Sequence, residues 1–560
     1  MAATVNDLST LELFEGCKPD ELEHVARALA GTREMVEGTV LCREGETADR
    51  WWIVVEGMAD VTVRGLYVGT IGPGETIGEL ALLDGEPRNA TVTATTDMTL
   101  EEVDGAGFVD ALVETPRLAL ALLRELAVRL RHANELSAGA APAAAATPVA
   151  EPAPAESGPV EYNPFAPGYF ANPYEQYAAL RENAPVYLEP ASGAYMLTRY
   201  DDIHRVSRDR ALTVEIASAS PTPALEAERA RIVASGGGAE KMMLRRDGDD
   251  HTRLRRLVSK VFTPRAISAW RERAESVVDR LLTDAAARNE MDVISDYALL
   301  LPAQIISEML GMPYADIPQL RAWSHAITKT LDPINTPEEE AASIESSLAM
   351  NSYVENVIAD KRANPADDIL TALIEAEETG DRLTTDELLA QVILLYIAGH
   401  EPTLNLIGNG LTHLFEYPDQ LDRLRTDPSA DANAIEELLR FDSPVQFARR
   451  IAAETLDVEG VAVPQGSVML LNLAAANRDP RKWGPTADVL DLTRAGANEH
   501  VSFGGGAHFC LGAALARLEG QIALPTLVRR FPRMAPAYDE PAWGMRMGLR
   551  GGERLPVTLG

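Results

Sequence analysis

The chain has 560 residues, 46% of them apolar and 24% charged, so two or more globular units with sizeable cores are expected. Fifty-one Lys and Arg against 85 Asp and Glu leave a net charge of −34, which argues against nonspecific binding to nucleic acid or to an anionic membrane. Three cysteines are too few for a disulfide framework or an iron–sulfur module, no apolar run reaches the ~18–20 residues of a membrane span, and the acidic N-terminus does not read as a targeting segment; a cytoplasmic protein is expected.

In chain order, Leu22, Val25, Ala26 and Leu29 form an apolar stripe of helical period. Short alternating runs follow, Trp51 to Val55 and Val61 to Val63, punctuated by Gly45, Gly57, Gly65, Gly69, Gly72 and Gly74. They predict a small β-roll or barrel in which Trp51 and Trp52 are strand core. Leu118, Leu122, Leu126 and Leu130 predict a helix after it. Ser137 to Pro159 is almost wholly Ala, Pro, Ser, Gly, Thr and Val, and Pro142, Pro148, Pro152 and Pro154 speak against an Ala-rich helix. It reads as a linker able to span roughly 25–70 Å. Three segments result: a domain at 1–136, the linker at 137–159, and a mostly α domain with small sheets at 160–560. In the last, helical patterns run to about Phe441, strand-like and loop-like sequence follows, and one more helix lies near 513–530. Thr384 and Glu387 form a capping box. The helix they open, 386–416, would be roughly 47 Å long.

Two clusters carry chemistry. In the first, Gly78 allows a close turn, the segment from Glu79 to Leu83 can present free helix N–H groups to an anion, and Arg88 supplies a planar fork for a phosphate. Glu79 offers an acceptor for a ribose hydroxyl. In the second, His500 to Gly512, Cys510 sits in a glycine-rich loop ahead of a helix, where sulfur is exposed and backbone N–H groups can turn toward it. Such a loop suits a thiolate metal ligand. A buried inert cysteine would explain none of the glycines around it.

The first cluster resembles the phosphate-binding cassette of cyclic nucleotide-binding domains, over roughly residues 8–135. The resemblance implies that Glu79 binds the ribose 2′-hydroxyl and Arg88 the cyclic phosphate, with Gly78, Leu80, Ala81, Asn89 and Ala90 around them. The implied ligand is cAMP or cGMP, and Asn89 matches neither of the residue choices associated with the two bases. No DNA-binding helix-turn-helix follows, and the resemblance leaves room for a homodimer formed through this domain.

The second cluster is similar to the haem-binding loop of cytochromes P-450, and further matches fall in that family's order across roughly 160–560. The resemblance implies haem b ligated by Cys510, with His251, Arg255, Arg450, His500, Phe503, His508 and Gly512 around the cofactor. It also implies a structural ion-pair network of Glu437, Arg440 and Arg494. On the long helix the family has an acid followed by two hydroxyl residues. Here Glu401 keeps the acid and Thr403 the second hydroxyl, while Pro402 replaces the usual catalytic threonine. Proline is expected to kink the helix and cannot donate a hydrogen bond. Glu401 and Thr403 are the residues expected to carry proton delivery. The implied activity is monooxygenation, a hydroxylation or epoxidation of a small apolar substrate, with electrons from a separate ferredoxin and ferredoxin reductase and with modulation by a cyclic nucleotide. Two alternatives remain at this level: a haem-thiolate enzyme of other chemistry, peroxide-driven or rearranging, and a non-enzymatic nucleotide-responsive haem sensor. Val445 to Ala448, Leu212 to Met243 and Met545 to Leu549 are the segments expected to face substrate.

Overall fold

The computed structural model describes residues 29–104, except 37, 48–49, 64–65, 74–75, 79–80, 83–87 and 89, and residues 162–560, except 191, 333–334 and 379–382. The chain divides into two units, 1–154 and 155–560. The linker and the helical stripe from Leu118 to Leu130 lie outside the described residues, as do Glu79, Leu80 and Asn89.

The first unit is built of short antiparallel strands: β1 (Leu29–Met35), β2 (Val40–Cys42), β3 (Arg50–Glu56), β4 (Ala59–Val63), β5 (Leu66–Ile71), β6 (Thr76–Ile77), β7 (Thr91–Ala94) and β8 (Met98–Asp104). They form two four-stranded sheets, in the orders β1-β8-β3-β6 and β2-β7-β4-β5. Alternation along β3 buries Trp52 and Val54 with Cys42, Ile77, Val92 and Leu100 in one core. Trp51 is fully buried as well. The expectation of a helical stripe through Leu29 fails at that residue. Leu29 opens β1 and pairs with Val103, so cross-strand pairing overrides the local period; Leu22, Val25 and Ala26 lie outside the described residues.

The second unit is mostly helical, with a five-stranded sheet of β9 (Val186–Leu188), β10 (Tyr195–Leu197), β11 (Leu212–Thr213), β12 (Phe447–Ala452) and β13 (Val468–Asn472). Its order is β11-β12-β13-β10-β9, with β10 and β13 parallel and the other pairs antiparallel. The helices that position the site are α1 (Gly248–Ser259), α2 (Leu300–Met309), α3 (Ile317–Lys329), α4 (Pro337–Ala363), α5 (Thr385–Glu416), α6 (Asp431–Phe441) and α7 (Ala513–Arg530).

Helix α5 starts at the foreseen capping box, with the Thr384 side chain accepting from the Glu387 N–H and Glu387 returning the bond to the Thr384 N–H. It is apolar nearly all round, as a helix through the centre of a domain should be. Glycines let it approach its neighbours closely. A Cβ on Gly399 would stand 2.8 Å from Ile306 of α2, and one on Gly410 would stand 3.0 Å from Leu524 of α7. The helix continues through Pro402, so the expected kink does not interrupt it. Beyond Phe441 there are also two short helices, Leu473–Asn477 and Pro480–Trp483, too brief to show a period in the sequence. Among the described residues, no helix is long and apolar enough to cross a membrane.

Candidate functional site

Cys510 lies at the end of the glycine loop, two residues before α7 caps on Gly512. The loop closes on itself, with the Cys510 N–H donating to the Phe503 carbonyl at 2.9 Å and the Phe509 N–H to that of Gly506. Gly506 has φ +68°, and a Cβ there would meet the Ser207 carbonyl at 2.4 Å, so only glycine fits this close approach. Cys510 is exposed. Burial by the protein behind it pushes the thiol up, while the N–H groups of Gly512 and Ala513 and the guanidinia of Arg255 and Arg517 pull the other way. The sulfur is thus ringed by positive groups on its protein side and open on the other. Cys42, the other described cysteine, is buried.

A cationic cluster flanks the loop. The His251 and His508 rings lie 4.2 Å apart, and Arg255 donates to the Phe509 carbonyl at 2.6 Å. Burial, then His508 and Arg255, hold His251 down at about 4, and its buried Nε2 has no hydrogen-bond partner. Arg450 is buried and, among the described residues, makes one hydrogen bond, to the Arg449 carbonyl. One member escaped the sequence reading. Asp247, at the N-cap of α1, contacts His508 Nε2 at 2.8 Å through Oδ1 and accepts from Thr213 and Val214 through Oδ2. Its signal was faint: an acid four residues ahead of His251. His500 stands in a different environment, with its Nε2 3.3 Å from Glu436 and its ring against Phe503 at 5.4 Å.

Behind the loop, Glu437 on α6 receives Arg440 Nε at 2.7 Å and Arg494 Nε at 3.0 Å, with Glu437 and Arg440 fully buried. Arg440 also donates to the carbonyls of Asn477 and Ala487, and Arg494 to those of Thr486 and Val489. The i,i+3 pair therefore ties α6 to the segment leading into the cysteine loop.

Helix α5 contributes the opposite chemistry. Among its buried central turns, Ala398 is exposed and Ile397, Gly399 and Pro402 are half-buried, so the 398/402 face borders open space within the fold. Proline at 402 has no N–H to give the Ala398 carbonyl. Glu401 is buried, 3.5 Å from Arg546 Nη1 and 3.8 Å from His400 Nε2. His400 is a satisfied core histidine. Its Nδ1 faces the Tyr396 carbonyl at 2.7 Å and must carry the hydrogen, which leaves Nε2 to accept from Ser324 at 3.2 Å. Thr403 is buried against α7, where it meets Glu519. Neither oxygen of Glu519 has a well-formed hydrogen bond, and full burial pushes its carboxyl well above the usual range, eased only by the Thr403 hydroxyl. Glu519 was not foreseen; its signal is an acid in an otherwise apolar stretch, nine residues beyond the cysteine.

In the first unit, Arg88 is buried and already engaged. Its Nη1 donates to the Gly78 carbonyl at 2.7 Å, its Nη2 donates to that of Arg50, and its guanidinium lies 5.4 Å from the Trp52 ring centre. Gly78 has φ +91°, and a Cβ there would fall 1.9 Å from Arg88 Nη1, so the glycine is what admits the arginine. Ala81 and Ala90 are buried beside this turn.

The residues around Cys510 fit a haem. An exposed sulfur is backed by N–H groups, and His251, Arg255, Arg450 and His508 offer donors to two carboxylates, His251 Nε2 being an orphaned polar atom. A family model for cytochrome P450 matches residues 228–429 and 432–541, and one for the cyclic nucleotide-binding domain matches residues 32–114. The chain is 41% identical to cytochrome P450 107B1 of Saccharopolyspora erythraea over 398 residues, 69% of this chain and 95% of that one. It is 39% identical to the vitamin D(3) 25-hydroxylase of Pseudonocardia autotrophica over 402 residues, 71% of this chain and 96% of that one. Among solved structures it is similar to P450BioI in complex with hexadec-9Z-enoic acid ligated acyl carrier protein, with TM-score 0.65 and 34% identity over 70% of this chain and 100% of that one. The chain belongs to the cytochrome P450 family, with a cyclic nucleotide-binding domain on the N-terminal side of its P450 portion.

Proposed function

We propose that this protein is a monooxygenase that hydroxylates or epoxidises a small, largely apolar substrate, drawing electrons from a separate ferredoxin and its reductase, and that a cyclic nucleotide modulates it. The observation that carries this reading is the exposed Cys510 sulfur, backed by Gly512 and Ala513 N–H groups, in a unit whose central helix turns an open face at Ala398 and Pro402 beside Glu401 and Thr403. Haem b held by Cys510 supplies dioxygen activation and oxygen-atom transfer. His251, Arg255, Arg450 and His508 would hold its carboxylates. In this mechanism Pro402 leaves the Ala398 carbonyl free to bind water, and Glu401 holds and hands on a proton in place of the missing threonine hydroxyl. Thr403 meets Glu519 behind it, whose carboxyl burial pushes well above the usual range.

The electron donor has a candidate docking face. Arg256, Lys260 and Arg265 are exposed on and just beyond α1, the helix whose Arg255 reaches the carbonyl one residue before Cys510. In a chain of net charge −34 such a local group favours an acidic partner. In this reading the protein works in the cytoplasm. Pro402 supports a second reading, a haem-thiolate enzyme driven by peroxide or catalysing a rearrangement, for which the hydroxyl missing at 402 would not be required.

Haem-loaded protein, reduced and treated with carbon monoxide, is expected to give the Soret band of axial sulfur ligation, and Cys510→Ser to lose it. Product formation with a surrogate ferredoxin system, measured with and without cAMP or cGMP, tests the remainder. Turnover with peroxide alone would favour the second reading. Arg88→Ala is expected to abolish any nucleotide effect, because the cradle loses its fork.

A further inference from the structure

Five N–H donors make a buried guanidinium costly unless each finds an acceptor. Arg440 and Arg550 of this unit meet that demand, whereas buried Arg450 makes one hydrogen bond among the described residues. Arg440 makes five hydrogen bonds to Glu437, Asn477, Ala487 and Val489, and Arg550 bonds Asp442 and the carbonyls of Phe170 and Ala171. Arg546, four residues earlier, does not. Its side chain is 12% exposed, its Nε is buried with no partner, and among the described residues its one hydrogen bond is the 3.5 Å contact to Glu401. Asp332 lies 3.9 Å from that Nε, beyond hydrogen-bond reach.

The position of this unspent group is fixed from outside. Asp332, in the turn after α3, accepts the N–H groups of Met547 and Gly548 through Oδ1, at 2.9 and 2.8 Å. The loop is further pinned by a bridge between Val445 and Leu549. The sequence neighbour of Arg546, Met545, is 71% exposed, and Leu331, next to Asp332 in the chain, is exposed too. With Gln446 and Tyr177, Arg546 also lines a cavity of about 10 Å³, room for at most one water.

We propose that Arg546 is the substrate's polar anchor: it binds a neutral acceptor oxygen, a ketone, ester or lactone carbonyl, on an otherwise apolar molecule, and so holds the carbon to be oxidised beside Glu401. The proposal rests on the monooxygenase reading and names its substrate class. Charge decides between carbonyl and carboxylate. Glu401 lies 3.5 Å from Arg546 and Asp332 3.9 Å from its Nε, so a ligand carboxylate would share this cation with two acids already beside it. A carbonyl takes the donors without adding charge. Arg546 then acts twice, placing the substrate and loosening its hold on Glu401 when substrate arrives.

The test uses haem-loaded, full-length protein and three probes of equal chain length: a long-chain methyl ketone, the fatty acid and the alkane. Dissociation constants come from the Soret shift on titration and, independently, from calorimetry. Wild type is expected to bind the ketone at least about tenfold more tightly than the alkane, as a charge-assisted hydrogen bond allows, and more tightly than the acid. Arg546→Leu is expected to bring ketone and alkane within about threefold, with alkane affinity kept, while Arg546→Lys retains part of the preference. Unchanged melting and carbonyl-adduct spectra verify that the variants fold and load. A ketone preference that survives Arg546→Leu, or a wild type that binds the three alike, binds none of them or favours the acid, overturns the assignment. Loss of the sulfur-ligated carbonyl band in wild type would strike the monooxygenase reading instead, and calorimetry would still report on Arg546.

Discussion

Position 402 is where this chain parts from its family's usual pattern, and the residues beside it set what the change means. With no hydroxyl at 402, the ionisable and hydroxylic groups left beside it on α5 are Glu401 and Thr403, both buried, the second against Glu519. Glu401→Gln and Thr403→Ala are each expected to lower product formed per NADPH consumed by about tenfold or more while substrate affinity holds. Equal yields in both variants would remove the relay. Glu519 makes a thermodynamic prediction as well. Its raised carboxyl keeps the folded state protonated after the unfolded chain has ionised, so stability falls as pH rises above the unfolded value of ~4.3, by up to about 1.4 kcal/mol per unit. Glu519→Gln is expected to melt higher than wild type near about pH 8, with a smaller margin near about pH 5.

At the scale of elements, one buried cluster joins α5 and the end of α6 to Tyr174 and to Arg550 near the C-terminus. Asp442 accepts from Tyr174 and Arg550 and contacts His413 Nε2 at 2.7 Å, while His413 Nδ1 faces Glu416 at 2.8 Å. Burial pulls His413 down, but Asp442 and Glu416 outweigh it and the imidazole ends above its ordinary value. Burial pushes Asp442 up, but Arg550 and His413 outweigh it and the carboxyl ends well below. The signs are opposite. The His413 contribution is complete below an unfolded value of ~6.5 and is lost as pH rises through the folded one; the Asp442 contribution is complete above ~3.9 and is lost as pH falls. These two groups should therefore lower the melting temperature on both sides of a window between about pH 4 and 6.5, superimposed on the decline that Glu519 imposes above ~4.3. His413→Gln should flatten the alkaline side and Asp442→Asn the acid side, each costing about 3–5 kcal/mol within the window.

The same scale exposes how far a sequence can be read. The capping box at Thr384 and Glu387, the reach of α5 and the span of α7 were legible because each depends on neighbours within one or two turns. The cysteine loop was legible because glycines of special backbone geometry cannot be replaced. Leu29 was misread, since its partner Val103 lies far along the chain. Asp247 and Glu519 were invisible for a related reason, each being one common residue type given meaning by a group more than a hundred residues away, and Arg546 was legible only as part of the 545–549 segment. His500 carries the further lesson that two histidines of one loop can stand in different surroundings.

For the molecule as a whole, charge is the property that reaches farthest. A net −34 would repel the proposed acidic electron donor except where cations gather, and Arg256, Lys260 and Arg265 are exposed on and just beyond α1, whose Arg255 reaches the Phe509 carbonyl. Charge reversal at Arg256 and Lys260 is expected to lower kcat/KM for the ferredoxin by about tenfold or more at low salt, with the deficit shrinking as ionic strength rises. A deficit indifferent to salt would point to misfolding of α1 instead.

The contrast between the two described cysteines has a practical side. Cys42 is shut inside a sheet core and Cys510 is open. In a Cys17→Ser background, an alkylating reagent should therefore label one site, and occupancy of that sulfur by iron should block it. Maleimide uptake per chain then becomes a direct gauge of how much of a preparation has taken up its prosthetic group, readable by mass spectrometry before any substrate is known.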